Sequence, residues 1–267
     1  MQKLTIRPAA VAGTFYPGGT DVLASTVREM LDDARTERIQ AKALIVPHAG
    51  YVYSGPIAAS AYAALAGLAD RIHRVVIFGP AHRVWVPGLA TSSADAFATP
   101  LGQVPVDRQA VARALGLPQV RINDAAHATE HSIEVQLPFL QALLDDFSIV
   151  PFVVGGTTPE QIAEVMALLW GEADTLIVVS SDLSHYLPYA DARRMDRGST
   201  DSILQALPLH DHEQACGAAP INALLSLARD RKLATHLLDL RNSGDTAGDK
   251  TRVVGYAAFA FTEPGHD

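Results

Sequence analysis

The stretch KALIVPHAGYVYSG, residues 42–55, carries the pattern that decides the fold. A continuous run of apolar and β-branched residues ends at Pro47, and an imidazole follows directly at His48. An apolar run of this length, bounded by proline and glycine, is typical of a strand that is buried on both faces of a sheet. A metal-capable ring at the end of such a strand indicates a binding site there, provided that other strands end in the same way.

Two further buried strands predicted from the sequence also end in polar, ligand-capable residues. RVVIFGP (74–80) is followed by His82, and TLIVVSS (175–181) is followed by Asp182 and His185. Ligands of open α/β sheets bind at the carboxyl ends of the strands. If the three strands are parallel and adjacent, we expect their loops to share one edge and their side chains to converge.

Segments with helical spacing of apolar residues alternate with these strands, which predicts an α/β fold. The predicted helices cover residues 21–35, 55–68, 107–117, 132–146, 159–172, 191–207 and 220–231. The helix over 132–146 is expected to bend or restart at Pro138. We expect one domain over residues 1–267, a three-layer α/β/α sandwich around a mainly parallel or mixed central sheet. The strand predicted over 147–156 contains Pro151, so we place it at a sheet edge or expect a β-bulge in it.

Composition excludes several classes of function. The chain of 267 residues has a formal net charge of −8 and no cluster of lysine or arginine, which disfavours nucleic acids and anionic membranes as partners. We find no apolar run of the roughly 18 residues that a membrane span needs, and no secretory signal. The single cysteine cannot form an internal disulfide, and we therefore expect a cytoplasmic protein.

Cys216 is the one thiol, and it lies just before a helix predicted to begin near Pro220. The positive end of that helix would favour the thiolate. A thiolate with the neutral imidazoles of His48 and His82 would make a three-ligand metal site with open positions for water, substrate or dioxygen. The alternative is an inert, buried thiol that packs as a small hydrophobe.

The remaining polar residues have simpler interpretations. His131 and Glu134 are three apart and would share one face of a helix. We interpret Glu130 and Glu134 as solvated, and Asp182 could merely cap the turn after its strand. Surface positions are predicted for the other histidines: His73, His127, His210, His212, His236 and His266.

Seven motifs follow one another along the chain: VAGTFYPG, PHAGYVYSG, GPAHR, EHSIEVQLPFL, SSDLSHY, ACGAAPI and NSGDTAGDKTRVVGYAAF. In this order they resemble the Memo family, whose bacterial and archaeal members are often called AmmeMemoRadiSam system protein B. The resemblance runs from about residue 8 to residue 262, nearly the whole chain.

The resemblance implies a fold similar to the class III extradiol dioxygenases, which are non-haem iron enzymes. It also implies a metal site at His48, His82 and Cys216, of which the cysteine departs from the two histidines and glutamate of those dioxygenases. That departure argues against simple ring cleavage, because a thiolate changes the redox preference of iron. The family's pocket further includes three residues: His131, Asp182 and His185.

The leading hypothesis from the sequence is a redox enzyme that uses Fe(II), with Cu or Zn as the other metals. In it His185 acts as general acid or base on an unknown small molecule, Asp182 orients His185 or binds substrate, and His131 donates a hydrogen bond. The family's bacterial name also implies a functional association with a radical-SAM protein and its partner domain. Four alternatives stay open: a metal chaperone, a peptide- or ligand-binding module, a zinc hydrolase and a metal-free redox thiol.

Overall fold

A computed structural model of the chain describes residues 4–265. Its helices are α1 Thr20–Asp33, α2 Tyr51–Ala64, α3 Arg108–Ala114, α4 Asp124–Ala128, α5 Leu137–Leu143, α6 Pro159–Leu168, α7 Tyr189–Leu204, α8 Ala218–Arg231 and α9 Ser243–Thr246. Its strands are β1 Ile6–Arg7, β2 Ala41–Val46, β3 Arg74–Pro80, β4 Leu89–Thr91, β5 Ala96–Thr99, β6 Gly102–Pro105, β7 Val120–Ile122, β8 Ser148–Val154, β9 Thr175–Ser180, β10 His185–Leu187, β11 Ala234–Asn242 and β12 Val253–Thr262. Short 3-10 helices lie at Ala66–Leu68 and Glu134–Gln136.

The large sheet has the strand order β10-β12-β2-β9-β3-β8-β4-β7, and β11 pairs with β12. The three strands that the sequence pattern singled out, β2, β9 and β3, are adjacent and parallel. Every residue of β2 and β9 is buried, which requires cover on both faces of the sheet. The carboxyl ends of these three strands therefore meet at one edge, as predicted.

Helices cover this sheet and complete a mixed α/β/α architecture. Helix α2 packs on β2, β11 and β12, whereas α8 packs on β3 and β9 and against α6. The sheet is mixed because β12 runs antiparallel to β2, β10 and β11. The predicted α/β/α sandwich with a mixed sheet is confirmed. No helix within residues 4–265 is long and apolar enough to cross a membrane.

Strand β8 lies inside the sheet and pairs with β3 in unbroken register, so both alternatives predicted from Pro151, an edge position and a β-bulge, are wrong. It pairs along its length with β3, and Pro151 faces Ile77. On its other side β4 pairs only with Val153 and Val154. Pro151 thus has a ladder partner on one side only, which is how an interior strand tolerates a residue without an N–H.

The helix predicted over residues 132–146 is shorter than expected, but the predicted restart at Pro138 is confirmed. The 3-10 helix Glu134–Gln136 comes first, and α5 begins at Leu137 with Pro138 in its first turn. Proline suits that position because the N–H it lacks would have no partner within the helix. The residues before Glu134 form an irregular loop, and this loop reaches the edge where β2, β3 and β9 end.

Candidate metal centre

Three imidazoles meet at the strand ends. His48 follows β2 with 2% exposure, His82 follows β3, and His131 comes from the irregular loop before α5. The ring centroids are 5.1 Å apart for His48 and His82, 5.4 Å for His48 and His131, and 4.6 Å for His82 and His131. One nitrogen from each ring lies within 4.8 Å of the others, so this group could hold a metal ion.

The hydrogen bonds around His48 determine which of its nitrogens faces the cluster. Its Nδ1 lies 2.9 Å from Oγ of Ser180. That hydroxyl donates its one proton to the carbonyl of Ser132 and accepts from Nε2 of Gln136. Nδ1 of His48 must therefore be the donor, which leaves the Nε2 lone pair free. Burial, and then the neighbouring imidazoles, lower the pKa of His48 well below its ordinary value, so the ring is neutral.

His82 is oriented by a carboxylate, that of Glu130. This side chain accepts from Nδ1 of His82 at 2.9 Å, and from the backbone N–H groups of His82, His131 and Ser132 at 2.7 to 3.0 Å. Burial alone would raise the pKa of Glu130, but the imidazoles of His131 and His82 outweigh it and hold the pKa far below its usual range. Glu130 is 2% exposed, so its predicted solvated position is wrong.

His131 contributes a buried nitrogen without a hydrogen bond. Its Nδ1 lies 3.2 Å from Oε1 of Glu130, at an angle that makes no hydrogen bond. The ring packs against Phe15 with 4.5 Å between centroids. A buried polar atom without a partner costs free energy unless a ligand satisfies it. Together with the lone pairs that His48 and His82 present, this donor set fits a transition-metal ion.

Cys216 lies beside His48 rather than at the centre of the three rings. Its Sγ is 3.3 Å from Nε2 of His48 and accepts a hydrogen bond from the backbone N–H of Asp182, also at 3.3 Å. Burial, and then the charge of Asp182, raise the pKa of the Cys216 thiol to about 12. In the metal-free protein, burial thus outweighs the helix start that was expected to favour the thiolate.

Asp182 and His185 both line the cavity next to these rings. Oδ1 of Asp182 accepts from the backbone N–H of His48 at 2.7 Å, which ties the ends of β9 and β2 together instead of capping its own turn. Burial raises the pKa of Asp182. His185 lies half-buried in β10. The catalytic roles given to Asp182, His185 and His131 stay predictions.

The cavity in front of the imidazoles has a volume of about 600 Å³. This is a size that suits a small organic molecule. Besides the residues already described, its walls include Tyr53, Tyr186, Ser243, Asp249, Arg252 and Tyr256.

A buried ion pair behind the site was missed by the sequence reasoning. Arg7 is 6% exposed and pairs with Glu134, which has no exposed surface. Glu134 also accepts from the backbone N–H groups of Ala10 and Val11. The interpretation of Glu134 as solvated is therefore wrong.

The same arginine holds the loop that carries two site residues. Arg7 donates to the carbonyl of His127 from Nε and Nη2, and to the carbonyl of Glu130 at 2.7 Å. These bonds fix both ends of the short segment before His131. The signal in the sequence is a lone arginine ahead of VAGTFYPG, and its partner cannot be identified from spacing.

Among the other histidines that the structure describes, His127 is not on the surface. His127 is 2% exposed, and its Nε2 donates to the carbonyl of Ala90 at 3.0 Å. The predicted surface position of His127 is therefore wrong. Burial lowers the pKa of this histidine to about 4. His236 is half-buried, and His266 lies outside the described residues. Exposed positions are confirmed for His73, His210 and His212.

Comparison with known proteins supports the family assignment along nearly the whole chain. A family model described as "Memo-like protein" matches residues 7–260. A "MEMO1 family protein" from Ignicoccus hospitalis is 36% identical and covers 98% of this chain and 100% of that protein. Another from Aquifex aeolicus is 34% identical, with coverages of 97% and 100%.

A solved structure shares the fold. It is an uncharacterized protein from Escherichia coli K12, which aligns with a TM-score of 0.53 and 14% identity over 82% of this chain and 98% of that one. At this identity the likeness concerns the fold alone. The match of the family model and the relatives in archaea and bacteria go further, and by them the chain belongs to the Memo-like protein family.

Proposed function

We propose that the protein is a metal-dependent redox protein in which His48, His82 and Cys216 hold an iron(II) ion. The observation that carries this proposal is the 3.3 Å between Sγ of Cys216 and Nε2 of His48. Two ligands at typical metal–sulfur and metal–nitrogen distances, in tetrahedral geometry, lie roughly 3.5 Å apart. The bond from the backbone N–H of Asp182 supports the thiolate that metal binding requires.

His131 is the competing third ligand. It belongs to the group of imidazoles whose nitrogens lie within 4.8 Å of one another, and its Nδ1 lacks a hydrogen bond. A site of three histidines would also suit iron, as well as zinc or copper, so the metal alone does not identify the third ligand.

When bound, the ion would supply Lewis-acid and one-electron redox chemistry with coordination positions left open. The chain's own residues prepare that site. Glu130 and Ser180 hold the rings of His82 and His48 in the tautomer that exposes Nε2. His185 lines the cavity, and in this proposal it accepts or donates a proton of a bound small molecule.

The test is anaerobic purification followed by elemental analysis of the wild type, Cys216→Ala and His131→Ala. We expect nearly one iron per chain in the wild type, loss of iron with Cys216→Ala, and retention with His131→Ala. Cobalt substitution gives a second readout, since only a thiolate ligand produces an intense sulfur-to-metal charge-transfer band in the near ultraviolet.

Each other outcome changes the assignment. Loss of metal with His131→Ala alone would assign the third position to that imidazole. Copper or zinc in place of iron would favour a metal chaperone or a hydrolase. No metal in any variant contradicts the proposed site. The association with a radical-SAM protein stays a prediction, and co-purification from a native host would test it.

A further inference from the structure

Tyr186 stands at the cavity in an uncommon backbone conformation. Its φ is 58°, in the left-handed region, where residues other than glycine are strained. The strand pairing explains the position, because His185 faces Val254 and Leu187 faces Val253, and the register shifts between them. Tyr186 is the extra residue of this bulge, and its side chain is 62% exposed.

Arg252 is held against this ring. Its guanidinium lies over Tyr186, 5.1 Å from the ring centroid, a cation–π contact that restricts the side chain. Within residues 4–265 Arg252 has no carboxylate at ion-pair distance. The nearby Asp249 accepts from the backbone N–H of Thr251 at 2.7 Å, so its carboxylate turns back to its own loop.

The rest of the cavity has a different character. Phe15, Tyr53 and Tyr256 add aromatic surface, and the imidazole cluster also lines the cavity. Among the described residues that line the cavity, Arg252 is the one lysine or arginine. Flat aromatic walls favour a planar molecule, and a guanidinium without a partner favours a carboxylate or phosphate, which it binds through two hydrogen bonds.

We infer that the substrate is a small, planar molecule with an anionic group, and that Arg252 binds this group at the mouth of the cavity. The strained Tyr186 is the platform that positions the guanidinium. The inference rests on the proposed function, which assigns the reaction of the substrate to the metal site at the imidazole cluster. The binding of the anionic group by Arg252 does not require the metal ion.

Benzoate and benzamide are the probes, because they have nearly the same shape and differ in charge. Isothermal titration is performed on the full-length protein as purified and again after treatment with a chelator. We expect benzoate to bind roughly three- to tenfold more tightly than benzamide, with a preference that shrinks at high salt. The preference must persist after chelation, which separates binding by Arg252 from binding of the carboxylate to a metal.

Two variants identify the residue. Arg252→Gln should remove the preference for benzoate over benzamide. Arg193→Gln is the matched control, since this exposed arginine lies 5.7 Å from the ring of Tyr189, outside the cavity wall, and should keep the preference. Equal binding of the two probes, absence of benzoate binding, or a preference that survives Arg252→Gln overturns the inference. A failure of the metal site would instead appear in the elemental analysis.

Discussion

The carboxylate of Glu130 accepts a hydrogen bond from Nδ1 of His82 at 2.9 Å, and it is buried behind the imidazole that it orients. A carboxylate has no proton to give at neutral pH, so Nδ1 must carry one and Nε2 must present its lone pair. Glu130 also accepts hydrogen bonds from the backbone N–H groups of His131 and Ser132. One side chain thus sets both the tautomer of His82 and the shape of the neighbouring loop.

Replacing Glu130 with glutamine should weaken metal binding by about 10- to 100-fold. The amide keeps the size of the side chain. It has one acceptor oxygen, however, whereas the carboxylate uses two to accept hydrogen bonds from the surrounding N–H groups. Metal affinity is measured by competition with a chelator, and nitrogen NMR of the metal-free protein reports the tautomer of His82. Glu160→Gln, at an exposed position of α6, is the control. An unchanged tautomer in Glu130→Gln would argue against the positioning role.

Replacing Arg7 with methionine should destabilise the protein by about 3 to 5 kcal/mol, because it leaves Glu134 charged and buried without its partner. Urea unfolding measures the free energy. The control is Arg194→Met, whose ion pair with Asp191 lies on the surface and should contribute less than about 1 kcal/mol. A loss for Arg7→Met as small as that of the control would mean that the buried pair adds nothing to stability.

The pKa of His127 makes stability depend on pH. Its folded pKa of about 4 lies below the ordinary value near 6.5, so the unfolded chain binds a proton that the folded chain does not. The contribution of His127 to the free energy of unfolding is fully present above about pH 6.5 and is lost as the pH falls toward 4. At pH 5 this loss is about 2 kcal/mol. Urea unfolding is measured above pH 6.5 and at pH 5. Between these two values the free energy of unfolding of His127→Gln should fall by about 2 kcal/mol less than that of the wild type.

The control for this comparison is His73→Gln, which removes an exposed histidine and is measured at the same two pH values. Other buried groups also titrate, so only the difference between variant and wild type is informative. Equal losses for His127→Gln and the wild type would mean that His127 is protonated in the folded protein.

The thiol of Cys216 should react slowly in the metal-free protein. A pKa raised to about 12 leaves very little thiolate at neutral pH, and burial restricts access. We expect labelling by a disulfide reagent to be more than about a hundredfold slower in the folded protein than in urea. Labelling of the folded protein at the rate of the unfolded chain would show that the thiol is accessible and that the strand-end packing around it is loose.

The edge of the sheet was predictable because its signals are local. A buried parallel strand is a short apolar run, and topology rules place its end without knowledge of any partner. His48, His82 and Asp182 could therefore be placed together from the sequence. The alanine-rich helix predicted over residues 55–68 is also present, as α2, although it begins earlier, at Tyr51.

The errors concern residues whose surroundings come from distant parts of the chain. Glu130 and Glu134 are spaced like solvated helix residues, and their burial depends on Arg7, more than 120 positions away. His127 is buried by its contact with the carbonyl of Ala90. For Cys216 the helix start was visible in the sequence, but the burial that opposes it was not. The spacing of charged residues therefore predicts that they are exposed only when no distant part of the chain supplies a partner for them.

The contact between Cys216 and His48 joins residues 168 positions apart, and this separation has a consequence for biosynthesis. A chain is made from its N-terminus, so His48 and His82 leave the ribosome well before Cys216. Until α8 packs against β3 and β9, these imidazoles have no thiol beside them. We therefore expect the nascent chain to capture metal poorly, and the finished protein to acquire its ion only after synthesis is complete.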